Sequence, residues 1–208
     1  MHLWQVFTDS TGEWLVGMKV KINLLQEHLH IAYRQSPWES LYSATRDGAS
    51  ITTLLRLVKG RSPCFLVIKD SANHVFGAYL PEGLRQPARR QSAHGAGQAL
   101  LFSLHPAFRV FGSKADNYLT ICEDRGIALG GVVGHDGAVG AGLHLDCLLT
   151  HGSSTACATF GTKDSVASAE EFESLQVEVW ALTRATLEAE TGEDGSGMQG
   201  AALLGRFT

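Results

Sequence analysis

The stretch Pro63-Cys-Phe-Leu-Val-Ile-Lys-Asp-Ser-Ala-Asn-His-Val-Phe-Gly-Ala-Tyr79 decides the fold prediction. It holds two apolar runs, residues 65–69 and 75–80, that are rich in the β-branched and aromatic residues favoured in strands. The residues between them include Asp70, Ser71 and Asn73, which are typical of tight turns. The stretch therefore predicts a β-hairpin that enters a hydrophobic core.

Further short apolar runs separated by turn residues follow this hairpin along the chain. They occupy residues 99–104, 108–111, 118–122 and 143–145. Late in the chain Leu175, Val177, Val179 and Ala181 alternate with polar or larger residues, which predicts a closing strand. Short strands at such spacings favour antiparallel sheets over a doubly wound parallel sheet. The predicted fold class is α+β, a two-sheet antiparallel β-sandwich flanked by short helices.

Three segments carry helix signals. Ile22, Leu25 and Leu29 are spaced by three and four residues, which predicts a helix over 22–33 that stops before Pro37. Ser50 is placed to cap a second amphipathic helix that ends near Gly60 and packs on a sheet. Ser168-Ala-Glu-Glu171 has the spacing of a capping box, which predicts a short third helix.

The length of 208 residues suits one ordinary domain with short flanks. We assign the domain to residues 22–182. Residues 1–21 are expected to be an N-terminal extension that forms a short extra strand or a partner contact. Residues 183–208 are polar and glycine-rich in part, with little apolar area to offset the entropy of ordering, and are expected to form a flexible tail.

Composition and charge exclude several functional classes. The formal net charge is −4, whereas nucleic acids and anionic lipids attract basic surfaces, so neither is an expected partner. No segment has the roughly 18 consecutive apolar residues of a membrane span, and no secretory signal pattern opens the sequence. The 4 cysteines lack disulfide-framework or Cys-x-x-Cys spacing and are expected to be reduced. The sequence predicts a cytoplasmic protein without direct membrane insertion.

Glycines are dense between residues 126 and 142, a pattern that invites comparison with phosphate-binding loops. No Gly-Lys-Ser/Thr follows them, and no complete dinucleotide-binding fingerprint is present. His94-Gly-Ala-Gly97 has oxyanion-loop spacing, but the sequence contains no Gly-x-Ser-x-Gly nucleophile elbow. These patterns are therefore interpreted as sheet turns, and neither a cofactor nor a catalytic residue is predicted.

Metal-ligating residue types gather between His144 and Cys157, namely His144, Asp146, Cys147, His151 and Cys157. In a strand, His144 and Asp146 would share one face and Cys147 would lie on the other, which divides the ligand set. No metal site is predicted.

An ordered set of sequence blocks surrounds the hairpin and extends over residues 24–182. The set comprises Trp38-Glu-Ser-Leu-Tyr-Ser43, Asp47-Gly-Ala-Ser50, His94-Gly-Ala-Gly-Gln-Ala-Leu-Leu-Phe102, Pro106-Ala-Phe-Arg-Val-Phe111, Asp116-Asn-Tyr118, Leu129-Gly-Gly131, Gly142-Leu-His-Leu-Asp146, His151-Gly-Ser153, Thr159-Phe-Gly161 and Val177-Glu-Val-Trp-Ala181. In order and spacing it resembles the TLDc domain family. The chain departs from that family's pattern at Gln98, where a glutamate is usual, and at His144, where a tryptophan is usual.

The resemblance implies a non-enzymatic protein-interaction module linked to oxidative-stress resistance. It further implies binding to soluble-sector or stalk subunits of the vacuolar-type proton ATPase (V-ATPase), regulation of pump assembly or activity, and recruitment to acidic organelle membranes through the pump.

Partner contacts are expected in two loops, because loops at the end of a sandwich are free to face a partner. The candidate residues are Gly95, Gly97, Gln98, Gly130, Gly131 and Asp136. Two alternatives stay open. One is a thiol-based or hydrolytic enzyme of oxidative-stress defence, which is suggested by the stress association and by Cys64, Cys122, Cys147 and Cys157. The other is a general protein scaffold.

Overall fold

The computed structural model describes residues 13–84, 99–113, 120–123, 126–134 and 137–182. These ranges contain helices α1 (Glu13–Glu27), α2 (Ala44–Asp47) and α3 (Ile51–Leu57). Their strands are β1 (Trp38–Ser43), β2 (Cys64–Asp70), β3 (Val75–Leu80), β4 (Leu100–His105), β5 (Arg109–Gly112), β6 (Thr120–Glu123), β7 (Gly126–Leu129), β8 (Val132–Gly134), β9 (Gly137–Val139), β10 (Leu143–Asp146), β11 (His151–Ser153) and β12 (Glu171–Leu182). The predicted α+β class is confirmed, with antiparallel sheets and a few short helices.

Strand β12 joins two layers of antiparallel sheet. Its second half pairs with β2 on one side and β1 on the other, and β2 continues through β3 and β4 to β5. Its first half pairs with β11, which continues through β10 and β7 to β6. We call these the first and second layers. Among the described strands, the pairing order runs from β5 to β6, and these two ends do not pair with each other, so the sheet stays open.

The predicted hairpin is confirmed as β2 and β3. The two strands pair from Cys64 with Leu80 to Lys69 with Val75. Asn73 adopts a φ of 65°, a left-handed conformation that asparagine tolerates better than most residues. All six residues of β3 are buried. A strand covered on both faces reads as a near-continuous apolar run, which is why the sequence pattern was so clear.

The main core lies between the two layers. The first layer contributes Leu66, Ile68 and Phe76, and the second contributes Leu129 and Leu143. The rings of Phe76 and Phe172 meet edge to face at a centroid distance of 4.9 Å. This burial of apolar surface is the principal force that holds the layers together.

A second core lies on the opposite face of the first layer, beneath α1. Ile22, Leu25 and Leu29 pack there with aromatic and aliphatic residues of the sheet. Phe65 stacks on Trp38 at a centroid distance of 4.2 Å, and Leu182 at the end of β12 belongs to the same cluster. The helix therefore covers a sheet face that would otherwise be exposed to water.

The prediction of a single helix over 22–33 is wrong in its bounds. Helix α1 ends at Glu27, and a separate 3₁₀ turn spans Ile31–Tyr33. The helix ends in a tighter turn, in which the His28 and Leu29 amides donate to carbonyls three residues earlier. The His30 ring then accepts a hydrogen bond from the Ala32 amide. At its other end, α1 includes residues 13–21 of the expected N-terminal extension, which are helical, whereas residues 1–12 lie outside the described part of the chain.

The predicted second helix is confirmed as α3. The Ser50 side chain caps it by accepting a bond from the Thr53 amide. Ile51, Leu54 and Val58 are buried in the main core, as the amphipathic pattern indicated. Gly60, which was predicted as the terminator, lies two residues beyond the C-cap Val58 with a φ of 72°.

The helix predicted at Ser168 is wrong. The Ser168 amide donates instead to the carboxylate of buried Asp70, and β12 begins at Glu171. A hydrogen bond to a distant residue thus satisfies the Ser168 amide, so no local capping box forms there. The closing strand itself is confirmed, but a register shift between Ser174 and Gln176 leaves Leu175 59% exposed instead of buried.

The sequence analysis also missed several short strands: β1, β7, β8, β9 and β11. These strands are three to six residues long, and several contain glycine or polar residues. No alternating apolar pattern therefore marks them in the sequence.

Candidate functional site

Gly130 and Gly131, two of the predicted contact residues, form the turn between β7 and β8. Both have positive φ values, 72° and 93°. A Cβ at Gly130 would lie 2.8 Å from Cys157 Sγ and 2.8 Å from the Phe160 ring, so no side chain fits there. The Gly131 amide donates to Thr159 Oγ1 at 3.3 Å. The turn is therefore clamped against the segment 157–160.

Strands β8 and β9 follow this turn and form a two-stranded hairpin that is separate from the large sheet. Its strands pair with each other from Val132 with Val139 to Gly134 with Gly137. Gly140, with a φ of 68°, ends the hairpin. At Gly142, which follows the hairpin, a Cβ would lie 2.8 Å from Leu101 Cδ1, so the segment just after the hairpin also packs closely on the core. The residues on either side of the hairpin, Gly130 and Gly142, therefore form a base that packs on the core.

The segment that holds this base is itself well bonded. Cys157 and Thr162 exchange backbone bonds of 3.2 and 3.1 Å, and the Cys157 amide also donates to Thr162 Oγ1 at 2.9 Å. Buried Ser154 donates from Oγ to the Gly142 carbonyl at 2.7 Å and accepts from the Val166 amide. These bonds connect the hairpin base to the loop that precedes β12.

The structure gives Gly130 and Gly131 different roles. Gly130 is buried and contacts Cys157 and Phe160, so it acts by letting the turn pack. Gly131 is partly exposed at the start of the hairpin. Gly95, Gly97, Gln98 and Asp136 lie outside the described residues. Their assignment to a contact surface stays a prediction.

A groove on the outer face of the second layer is the other notable surface. It encloses about 400 Å³ and crosses β10, β11 and β12. Its lining comprises His144, Asp146, His151, Gly152, Ser153, Glu171, Phe172 and Glu173. No sequence pattern marked Glu171 and Glu173 as groove residues, because only the pairing of β12 with β11 places them opposite Ser153 and His151.

The histidines and Asp146 of this groove were considered as metal ligands in the sequence. Alternation along β10 holds, with Leu143 and Leu145 buried and His144 and Asp146 on the other face. Asp146 accepts bonds from the Thr150 and His151 amides, so its carboxylate closes the β10–β11 turn. Among the residues that the structure describes, no group of three potential ligands is arranged to hold a metal ion.

His144 is one of the residues that line this groove. Burial lowers the pKa of its imidazole, and the nearby Asp146 carboxylate partly opposes that change. The neutral ring is thus favoured at physiological pH.

The cysteines with described side chains are free thiols. Cys64 is fully buried, and burial raises its pKa to about 12. Since the thiolate is the reactive form, Cys64 is a poor nucleophile. Cys157 is buried against Gly130, and Cys147 is half-buried beside the main core. Cys122 lies in β6, and its side chain is not described.

In the described part of the chain, no helix is both long enough and apolar enough to cross a membrane.

The chain is similar in sequence to known proteins. Human Oxidation resistance protein 1 is 34% identical over 164 residues, which cover 78% of this chain and 18% of the relative. Nuclear receptor coactivator 7 of Gallus gallus is 35% identical over 161 residues, or 76% of this chain and 17% of the relative. The chain thus spans less than a fifth of the length of these relatives.

A family model for the TLDc domain matches residues 18–183. The match includes α1 from residue 18 onward, both layers of the sandwich and the β8–β9 hairpin. The chain belongs to the TLDc domain family.

Proposed function

We propose that this chain is a non-enzymatic interaction module that binds the V-ATPase and regulates its assembly or activity. Its contribution to oxidative-stress resistance follows from that regulation. The observation that carries the proposal is the TLDc match over residues 18–183, together with relatives named for oxidation resistance. Binding takes place in the cytoplasm and brings the protein to acidic organelle membranes through the pump.

The β8–β9 hairpin is a suitable contact element. It is paired only with itself in the described part of the chain, while Gly130 and Gly142 pack its base on the core. A rigid base lowers the entropy cost of presenting a loop to a partner. Gly131 and Asp136 on this hairpin, with the loop that holds Gly95, Gly97 and Gln98, form the proposed contact surface.

The mechanism is preferential binding to one state of the pump. A protein without chemistry of its own shifts an assembly equilibrium only when it binds one state more tightly than another. Binding to the detached soluble sector would favour disassembly, whereas tighter binding to the intact pump would stabilise assembly.

Co-sedimentation with purified V-ATPase tests the proposal, with intact pump and detached soluble sector measured in parallel. Saturable binding with a change in proton pumping or in sector release is expected. The double variant Gln98→Ala, Asp136→Arg should weaken binding by about tenfold or more, equivalent to ~1.4 kcal/mol. Asp164→Arg makes the same charge change at an exposed site on another loop and serves as the control.

The control variant should bind as the unmodified chain does. Equal binding by the double variant and the control would reject the contact surface while leaving pump binding intact. Absence of binding to either pump state would reject the proposed function, and a scaffold for other proteins would then be the reading to pursue.

A further inference from the structure

The loop 163–170, which precedes β12, carries a serine whose side chain takes no part in holding the loop. Ser168 is exposed, and its Oγ makes no hydrogen bond to any residue that the structure describes. Ser165 differs, because its Oγ donates to the Ala169 carbonyl at 2.8 Å and accepts from the Ala167 amide at 3.0 Å. The loop forms neither helix nor strand. An enzyme can therefore reach the Ser168 hydroxyl without breaking a side-chain bond of the loop.

Acidic residues follow this serine directly in the chain. Glu170 and Glu171 lie two and three positions after Ser168, and both are exposed. Neither forms an ion pair within the described residues. Protein kinases distinguish substrates partly by the charge pattern around the acceptor hydroxyl, and a basic cleft favours acidic neighbours. The pattern Ser168-Ala-Glu-Glu171, which does not form a capping box, therefore suits a kinase with a basic substrate cleft.

A buried carboxylate lies next to the Ser168 backbone. The Ser168 amide donates to Asp70 Oδ2 at 3.1 Å, and Asp70 is fully buried. Asp70 Oδ1 accepts from the His74 amide at 2.8 Å, so this carboxylate joins the β2–β3 turn to the loop. A phosphate on Ser168 would bring a charge of about −1.5 to −2 beside Asp70, Glu170 and Glu171. Phosphate next to acidic side chains disrupts a contact by repulsion.

Two exposed cations oppose this repulsion. Lys163 belongs to the loop itself, and Arg109 on β5 donates from Nη2 to the Ser165 carbonyl at 3.4 Å. Either could pair with a phosphate and hold the loop in place. Salt screens exposed charges more than buried ones, so repulsion by the buried Asp70 carboxylate should outweigh these attractions.

Hydrogen bonds connect the loop to the base of the β8–β9 hairpin. The Ser154 amide donates to the Glu170 carbonyl at 2.8 Å, and the Val166 amide donates to Ser154 Oγ at 3.0 Å. The same Oγ donates to the Gly142 carbonyl at 2.7 Å. Displacement of the loop would therefore reach the hairpin base through Ser154, along a continuous set of contacts.

We propose that Ser168 is a phosphorylation site for a protein kinase with a basic substrate cleft, and that phosphorylation separates the loop 163–170 from Asp70 and loosens the base of the β8–β9 hairpin. In the transfer, Ser168 Oγ bonds to the γ-phosphorus of ATP as the bond to the β–γ bridging oxygen breaks. The hydroxyl proton passes to the kinase's base, and ADP leaves. Control of the hairpin surface by this modification rests on the proposed pump contact, whereas the site and the loop release do not.

Phosphorylation of the native full chain tests the site. The chain is incubated with ATP and a serine kinase that selects acidic substrates, and peptide mass spectrometry maps the phosphate. Ser168 should be modified. Glu170→Gln with Glu171→Gln should slow this modification by about tenfold, because two charges that the kinase would bind are lost. Asp164→Asn, which removes an exposed acid on the other side of Ser168, is the control and should leave the rate unchanged.

Hydrogen exchange tests the release of the loop. Phosphoserine is incorporated at position 168 during synthesis, so this measurement does not depend on the kinase. Amides of residues 164–170 should exchange about tenfold faster than in the unmodified chain, and those of residues 137–142 should accelerate by a smaller factor. Residues 65–69 in β2 should be unaffected. Phosphoserine in place of Gln35, an exposed residue outside the loop, provides the charge-matched control.

The two measurements have separate negative outcomes. Absence of phosphate at Ser168, under conditions that modify a synthetic peptide of residues 164–175, would overturn the site. Unchanged exchange of residues 164–170 would overturn the release, and slower exchange would do so by showing that a cation holds the phosphate. Neither readout involves the V-ATPase.

Co-sedimentation with the V-ATPase then tests the control of the hairpin surface. The chain with phosphoserine at position 168 should bind the pump about threefold or more weakly than the unmodified chain. Equal binding by the two chains would overturn this control. Absence of binding by the unmodified chain would reject the proposed function, while the phosphorylation site and the loop release would still be decided by mass spectrometry and hydrogen exchange.

Discussion

Trp180 Nε1 donates a 2.8 Å hydrogen bond to Oε2 of Glu178, two residues earlier on the same face of β12. Glu178 is only 4% exposed, although it carries a carboxylate. Its other oxygen accepts bonds from Gln176 Nε2 at 3.0 Å and Ser43 Oγ at 3.4 Å. The strand thus carries a buried carboxyl group at the place where β1 and β2 pair with it.

Replacing Glu178 with glutamine should flatten the pH dependence of stability. Burial raises the pKa of Glu178 above its ordinary value of 4.5, against the opposing effect of its hydrogen bonds. The folded state therefore binds the proton more tightly, and the stabilising contribution of Glu178 declines as pH rises through its folded pKa. Urea unfolding from pH 4.5 to pH 8 measures this decline, which Glu178→Gln should remove.

The matched control for this change is Glu171→Gln, which alters an exposed carboxylate on the same strand. Its profile should follow that of the unmodified chain. A third variant, Glu178→Ala, leaves the Trp180 indole without its acceptor and should cost about 1–3 kcal/mol. Parallel profiles for the Gln variant and the unmodified chain would contradict the assignment of the titration to Glu178.

Gly130→Ala should destabilise the domain more than Gly60→Ala does. The two glycines share a φ of 72°, so the backbone cost of a left-handed alanine, about 1–2 kcal/mol, is common to both. Only at Gly130 does the added Cβ meet Cys157 and Phe160, and such overpacking costs a further ~1–3 kcal/mol. Chemical denaturation measures the difference, and equal losses would show that the turn adjusts freely.

Asp70→Ala should release the loop that precedes β12. Buried Asp70 accepts bonds from the His74 amide at 2.8 Å and the Ser168 amide at 3.1 Å. Each amide left unpaired in the protein costs about 1–3 kcal/mol. Hydrogen exchange of residues 163–170 should accelerate in the Ala variant and less so in Asp70→Asn, which keeps one oxygen. Unchanged exchange in both would show that the carboxylate does not hold this loop.

Thiol labelling should follow burial. Cys64 is fully buried with its pKa raised to about 12, so it should stay unlabelled in the native protein. Half-buried Cys147 should react before Cys64 and Cys157. Peptide mass spectrometry after iodoacetamide treatment at pH 8 reports the order, and urea-unfolded protein gives the reference rates. Fast native labelling of Cys64 would favour the thiol-enzyme alternative.

Sequence patterns correctly predicted those elements in which the local preference of the residues matches the packing of the surrounding structure. The β2–β3 hairpin combines apolar runs with turn residues, and Ser50 caps α3 as its spacing indicated. An element can be predicted from sequence when its local preference and its tertiary packing agree in this way.

Predictions failed where distant residues took over local roles. Ser168 and Glu171 have capping-box spacing, but Asp70 binds the Ser168 amide and β11 pairs with Glu171. Leu175 fits an alternating pattern, yet the register shift beside it turns its side chain to solvent. A pattern along one strand carries no information about the partner strand that sets its register.

By itself, the sequence determined the fold class, the central hairpin, helix α3 and the family resemblance, because these depend on periodicity, turn chemistry and ordered motifs. Only the tertiary structure decided that Gly130 is a packing residue, that Glu178 is a buried acceptor and that Val20 and Leu24 of α1 stay exposed. Each of these depends on atoms that are far apart in the chain and become neighbours only when the layers pack.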